Sequence, residues 1–212
     1  MRKIIVTQFV TLDGVVQAPG GPTEDTSGGF AYGGWTVNYW DDKLGRIMTG
    51  FMNLPFELLL GKRTYDIFSA YWPNIKEDSD DFVVAKPFNS TKKYVISDVP
   101  FEPSWNNSVC ITGDVVPQIK QLKQQNSPDL WIHGSGNLIQ TLLKNHLIDR
   151  MHLWIFPVTL GSGKKFFADG TQAEGFKLIE CQHSTTGVII ATYESTGSVK
   201  TGSFQHLDSN SR

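Results

Sequence analysis

Two short stretches hold most of the residue types that could do chemistry. His133-Gly134-Ser135-Gly136-Asn137 lies inside "LWIHGSGNLIQTLL", residues 130–143, and Gly61-Lys62-Arg63-Thr64 lies inside "ELLLGKRTYDIF", residues 57–68. In each, an apolar run of strand type stops at a glycine and helical periodicity begins at once. Leu138 pairs with Leu142 and Ile139 with Leu143 at i, i+4, while Tyr65 and Phe68 share one face. The spacing predicts helices that open at Ser135 or Gly136 and just after Gly61. The first N–H groups of a helix have no partner within it, the positive end of its dipole emerges there, and glycine admits a ligand to the backbone. That combination suits a phosphate, and Lys62, Arg63 and Thr64 add two cations and a hydroxyl. A tight packing turn accounts equally well for Gly134 to Gly136 taken alone, and a solvated basic pair for Lys62 and Arg63.

Other chemistries fit less well. A GxGxxG dinucleotide fingerprint requires glycine at 139, where Ile139 stands, and no GxxxxGK[ST] loop occurs. Ser135 lacks the G-x-S-x-G elbow of a hydrolase, since His133 precedes it by two. Histidines 133, 146, 152, 183 and 206 form no HxxxH or HExxH spacing, and Cys110 and Cys181 are too few and too far apart for a CxxC site, so no metal site is expected. Among carboxylates, Asp13 in "TLDG" and Asp41-Asp42 before a helical pattern could orient or protonate a ligand; turn formation and N-capping explain them as readily.

Around these motifs the 212 residues read as one α/β domain over 1–195 followed by a polar, patternless and disordered tail, 196–212. Nineteen Lys+Arg against 21 Asp+Glu give a net charge of -2, which favours neither nucleic acid nor an anionic membrane. No run approaches the ~20 apolar residues of a membrane helix, and the two isolated cysteines fit a reducing cytoplasm. Strands are expected at Ile4–Val10, up to Leu60, at "KKYVISD", Val109–Thr112 and Met151–Phe156, with a closing antiparallel hairpin, "FKLIECQHS" and "GVIIATYES", turning at Thr185–Gly187. Helices are expected at Asp41–Asn53, after Gly61, from an Asp114 cap through Pro117, and from Ser135 or Gly136. The alternation predicts a mixed, mostly parallel sheet flanked by helices. Between the first strand and first helix, seven glycines from Gly14 to Gly34 mark a long loop, read as a lid over a substrate.

"TLDG", "LLLGKRTYDIF", "YVISD" and "LWIHGSGNLIQTLLKNHLIDRMHLWIFPVTLGSGKKFF", in that order across residues 3–194, resemble the dihydrofolate reductase superfamily. The branch they resemble is the RibD C-terminal reductase domain of riboflavin biosynthesis. The resemblance implies a dihydrofolate reductase-like fold and a reductase that passes hydride to a C=N or C=O of a small heterocyclic or ribosyl-type substrate. It places pyrophosphate of a nicotinamide dinucleotide on Gly134, Ser135, Gly136 and Asn137, further phosphate on Gly61, Lys62, Arg63 and Thr64, and adenosine near Ser97, with His133 touching the cofactor. Cations at a 2′-phosphate imply NADPH. A homodimer is implied too, with Trp154 and Phe156 as edge residues. Two departures stand out: the acidic position of folate-reducing members falls near Gly45, and Asp149-Arg150 replaces the branch's Asp-Glu. A non-catalytic dinucleotide-binding or sensing protein of the same fold is the alternative.

Overall fold

The computed structural model describes residues 1–204; residues 205–212, which include His206 and the end of the expected tail, lie outside the described residues. Eight strands form one sheet in the order β4-β3-β2-β5-β1-β6-β8-β7. They are β1 (Ile4–Thr11), β2 (Phe56–Gly61), β3 (Lys93–Ile96), β4 (Ser108–Ile111), β5 (Asp129–His133), β6 (Arg150–Phe156), β7 (Gly175–His183) and β8 (Ile189–Gly197). Strands β4 to β6 of that order pair in parallel, and β8 runs antiparallel to both β6 and β7. The mostly parallel sheet with a closing hairpin is therefore as expected. Its tail end differs: pairing of Gly175 with Gly197 carries β8 past Ser195.

Helices α1 (Asp42–Met52), α2 (Lys62–Tyr71) and α3 (Phe82–Ser90) cover one face, packing Leu44, Met48, Tyr65 and Phe88 onto Leu58, Leu60, Trp131 and Trp154. Helices α4 (Val115–Gln124) and α5 (Gly136–Lys144) cover the other, with Ile119, Leu138 and Leu142 over Ile4, Val6 and Ile132. Because β5 inserts between β2 and β1, crossovers leave the sheet on opposite faces there, and a crevice at the carboxyl ends of the strands follows from the topology.

Three local readings change. No element was expected at residues 82–90, and Pro87 inside a helix removes a hydrogen bond; burial of Ala85 and Phe88 outweighs that loss and α3 forms. Asp114 does occupy the N-cap of α4, but its carboxylate makes no capping bond and only its carbonyl accepts from Gln118 Nε2 (3.1 Å). Trp154 and Phe156 are fully buried on β6, an interior strand, so neither can join an edge-to-edge homodimer contact; the free edges belong to β4 and β7.

Asp149 and Arg150, the charge departure in the sequence, act in the frame. Asp149 Oδ2 accepts from Ile4 N (2.7 Å) and pairs with the buried ammonium of Lys123, which also donates to Leu147 O (3.1 Å). Arg150 pairs with Glu194 across β6 and β8. One carboxylate thus ties β1, α4 and the start of β6. Asp149→Ala leaves Lys123 buried without its counter-charge, and we expect urea unfolding to show a loss of about 2–3 kcal/mol.

Candidate functional site

Strand β5 ends at His133, and the chain then takes two successive left-handed residues, Gly134 (φ 68°) and Ser135 (φ 68°, ψ 53°), before α5 begins. Glycine adopts that conformation freely, but serine does so at a cost of ~1 kcal/mol. What holds Ser135 there is its hydroxyl, which accepts from Gly61 N (2.9 Å) and donates to Thr64 Oγ1 (2.8 Å). It is therefore not free to cap its own helix. Ile139 is the first residue of α5 whose N–H reaches back to a carbonyl, that of Ser135 (3.0 Å), and no side chain caps the amides before it. Helix α2 also starts uncapped, from Gly61. Two polarised helix starts, 74 residues apart in sequence, are fastened together at the carboxyl edge. A Cβ at Gly136 would meet nothing within 4 Å, so that backbone is open to a ligand.

The cations of the second motif are engaged. Lys62 Nζ bridges to Asp66 within α2 (2.7 Å) and lies 4.6 Å from the Phe101 ring centre. Arg63 pairs with Asp25 of the long loop, and Lys164 Nζ reaches the same carboxylate at 2.7 Å. Burial works to raise the Asp25 carboxyl, but the bonds from Lys164 and Ser27 outweigh it and bring it down to about 2. The loop itself is packed rather than open: Gln17 Nε2 donates to Asp25 O and Ser27 O (3.0 and 2.9 Å), Trp35 Nε1 donates to Gln17 O (2.8 Å), and Phe30 and Trp35 are buried. It reaches the start of α2 through Asp25. A depression of about 310 Å³ lies between Gly28–Phe30 and Ser162–Lys164, and none of the residues that line it belongs to the paired helix starts.

The aspartates do not converge on that edge as free acids. Asp13 accepts from Thr11 Oγ1 (2.5 Å) and from Gly161 N (2.8 Å), and these bonds hold its carboxyl below the usual range. Asp41 is the N-cap of α1, accepting from Leu44 N (2.8 Å) and, through its other oxygen, from Thr185 N and Oγ1 (2.7 and 2.5 Å). The Thr185 hydroxyl is the leading cause that brings it down to about 2. Asp42 is exposed in the first turn of α1. Ser97 follows β3, but its hydroxyl is spent on Val99 O (2.7 Å). Asn137 is exposed in the first turn of α5. The His133 ring turns inward against Phe88 (5.0 Å between centroids), with Nε2 buried, rather than outward to the turn.

Thr7, His152 and Thr192, to which the sequence assigned no role, lie beside His133. Thr7 sits between His133 on β5 and His152 on β6, and His152 stands opposite Thr192 on β8, so four polar residues form a row across the sheet's α1–α3 face. Their only sequence signal is polarity inside apolar strands. Burial, then the neighbouring His152, pushes His133 down to about 3; burial, then Arg150, pushes His152 down to about 4. Both imidazoles are neutral at neutral pH.

Comparison with known proteins decides the family. The RibD C-terminal domain profile matches residues 2–190. The chain belongs to the RibD C-terminal domain family. It is 29% identical over 196 residues, 92% of this chain and 96% of the relative, to the uncharacterized protein YyaP of Bacillus subtilis (strain 168). Among solved structures, a candidate riboflavin biosynthesis protein from Shewanella sp. PV-4 superposes with TM-score 0.65 at 22% identity, covering 92% of this chain and 99% of that one. Dihydrofolate reductase from Enterococcus faecalis, complexed with NADP(H), superposes with TM-score 0.56 at 11% identity over 92% of this chain and 96% of its own. The likeness to the solved structures is one of fold. Within the RibD C-terminal domain, Ser135 joins two of the four segments by which this chain resembles the family. Among the described residues no helix is long and apolar enough to cross a membrane, and no cluster of His, Cys, Asp or Glu suits a metal.

Ser135→Ala removes both bonds but leaves the left-handed strain, and we expect it to lower stability by about 1–3 kcal/mol in urea unfolding. The neutral histidines set a second expectation. Above the unfolded-state value of about 6.5 neither state carries the charge; below it the unfolded chain takes up protons that the folded chain refuses. Stability should therefore fall as pH drops from 6.5 to 5, by up to ~2.7 kcal/mol per pH unit for the two groups together, and His152→Gln should roughly halve that slope.

Proposed function

We propose that this protein is an NADPH-dependent reductase acting on a C=N or C=O of a small heterocyclic or ribosyl-type substrate. The observation that carries the reading is the pair of uncapped helix starts locked by Ser135. Open amides at Gly136 and Asn137, with Gly134 in a left-handed turn, suit a pyrophosphate, and Gly61 to Thr64 lie beside them. These residues fit a nicotinamide dinucleotide. When bound, its reduced ring supplies hydride to the substrate.

The chain's own contributions are binding and orientation. Amides at the start of α5 hold the pyrophosphate, and Thr64 Oγ1, already a partner of Ser135, adds a polar contact at the start of α2. Arg63 is 59% exposed at its side chain and can turn to a 2′-phosphate if it exchanges Asp25 for that anion. Ser97 marks the adenosine side by position and not by a free hydroxyl. Asp13 orients the 160–161 segment, and Asp41 holds the β7–β8 turn against α1. Neither is a proton donor at neutral pH, and Asp42 remains the exposed carboxylate of the three. That observation favours the second reading, a dinucleotide-binding protein without catalysis, and the two part on whether NADPH is consumed.

Tryptophan fluorescence titrated with NADPH and NADH tests the cofactor. We expect saturable binding that prefers NADPH, with the preference reduced about tenfold in Lys62→Ala/Arg63→Ala, the scale of one or two lost charge-assisted contacts. Gly136→Val meets no protein atom and should leave the fold intact while weakening both nucleotides. Unchanged affinity in that variant removes the pyrophosphate assignment.

A further inference from the structure

Two glycine-rich segments face each other across the depression of about 310 Å³, residues 27–30 of the long loop and residues 162–164 after β6. Their closeness requires glycine. A Cβ at Gly163 would stand 2.8 Å from atoms of Phe30 and Val15, and its φ of 120° is one that L side chains rarely adopt. Gly28 and Gly29 are left-handed too (φ 70° and 74°), and a Cβ on either would meet nothing within 4 Å, so bare backbone forms that lip. Gln17, only 5% exposed, stitches the lips together. Its Nε2 donates to the carbonyls of Asp25 and Ser27, and its Oε1 accepts from Lys164 N (3.1 Å). The N–H groups of Gly28, Ser162 and Gly163 find no acceptor among the described residues.

Open amides around a concavity, with an ammonium at its rim, suit an oxyanion. The volume is at the lower end of the roughly 300–1,000 Å³ of ligand cavities, and it leaves room for a short carbon chain beside Phe30. Lys164 Nζ, which lines the depression, is 2.7 Å from Asp25, and the same carboxylate pairs with Arg63 at the start of α2. Ser27 N and Oγ supply its other bonds (3.1 and 2.6 Å). One cation can leave Asp25 while the other neutralises it. If both leave, a side chain only 10% exposed keeps two hydrogen bonds and no counter-charge, which is unfavourable.

We propose that the depression is a second anion seat, which takes free phosphate or the phosphate group of a small phosphomonoester on Lys164 and the amides of Gly28 and Gly163, and which opposes anion binding at Arg63 because both seats draw on Asp25. The seat stands apart from the reductase reading; the antagonism rests on that reading's assignment of Arg63 to a 2′-phosphate. By linkage each anion weakens the other by the same factor, and NADH, which lacks that phosphate, escapes the effect.

The full chain is first titrated without dinucleotide, with inorganic phosphate and with glycerol 3-phosphate, at an ionic strength held constant with potassium chloride. The readout is the Trp35 indole N–H resonance, because that group donates to Gln17 O (2.8 Å) and Gln17 lines the depression. Both probes should shift it saturably, and Lys164→Met, which keeps the stem of a half-exposed side chain, should weaken each about tenfold. Tighter glycerol 3-phosphate identifies an ester as the ligand, and equal affinity identifies free phosphate. Saturating phosphate should then weaken NADPH by about fivefold and no further, leave NADH unchanged, and lose its effect in both Lys164→Met and Asp25→Asn. No saturable shift in the natural protein, or a shift that Lys164→Met leaves as it was, overturns the seat. An effect on NADPH that persists in Lys164→Met, or that grows without a plateau, is direct competition at the nucleotide site and overturns the antagonism. If no dinucleotide binds while the Trp35 resonance still shifts, the reductase reading fails and takes the antagonism with it, while the seat stands.

Discussion

The hydroxyl of Ser135 is the contact on which the site depends. It bonds the end of β2 to the start of α5, and does so only because the sheet order sets β5 beside β2. Its cost is a left-handed serine, ~1 kcal/mol, and its return is two hydrogen bonds of ~1 kcal/mol each. The balance is small for stability. The geometric consequence is larger: with its oxygen committed to Gly61 and Thr64, Ser135 leaves α5 uncapped, and the amides that a cap would have taken remain available at the edge. A residue at this position thus trades helix capping for a joint between two anion-competent turns.

Electrostatics at the rim follow the same logic of exchange. Arg63 and Lys164 are not idle charges waiting for a phosphate, since Asp25 already sits between them. A dianion that engaged Arg63 would have to displace the Asp25 carboxylate, so its net gain would be a difference between two favourable terms. The loop that supplies Asp25 is fixed by Gln17, Trp35 and Phe30. Loop position and the state of Arg63 are consequently coupled through one side chain, because whatever takes Arg63 from Asp25 also loosens the loop's hold on α2.

Legibility in the sequence follows the range of the interactions. Strand, glycine and helix in "LLLGKRTYDIF" and "WIHGSGNLIQTLL" are local, and periodicity placed β2, α2, β5 and α5 within a residue or two. Helix α3 was hidden because Pro87 carries a local signal against it while Ala85 and Phe88 form it by distant packing. The fastening of Gly61 to Ser135 and of Asp25 to Arg63 spans 74 and 38 residues, and no pattern in one chain announces such pairs. Asp13 and Asp41 were visible as chemistry-bearing residues, but their hydrogen bonds to residues 161 and 185, far along the chain, were not. Thr7 and His152 looked like ordinary interruptions of apolar strands until the register set them side by side.

That row shows why a cooperative fold tolerates unfavourable atoms. A hydrophobic residue at Thr7 would stand between His133 and His152 without an orphaned hydroxyl, and each of two neutral imidazoles lowers acid stability because the unfolded chain can take a proton that the interior refuses. Elsewhere on β1 the buried polar residues Gln8 and Thr11 do find hydrogen-bond partners, whereas the Thr7 hydroxyl, between Ile5 and Phe9 on its face, does not. The row is therefore a place where sequence pattern, hydrogen bonding and protonation conflict at once, and the packing of the aromatic rings around it outweighs that cost, because stability is the small difference between large opposing terms.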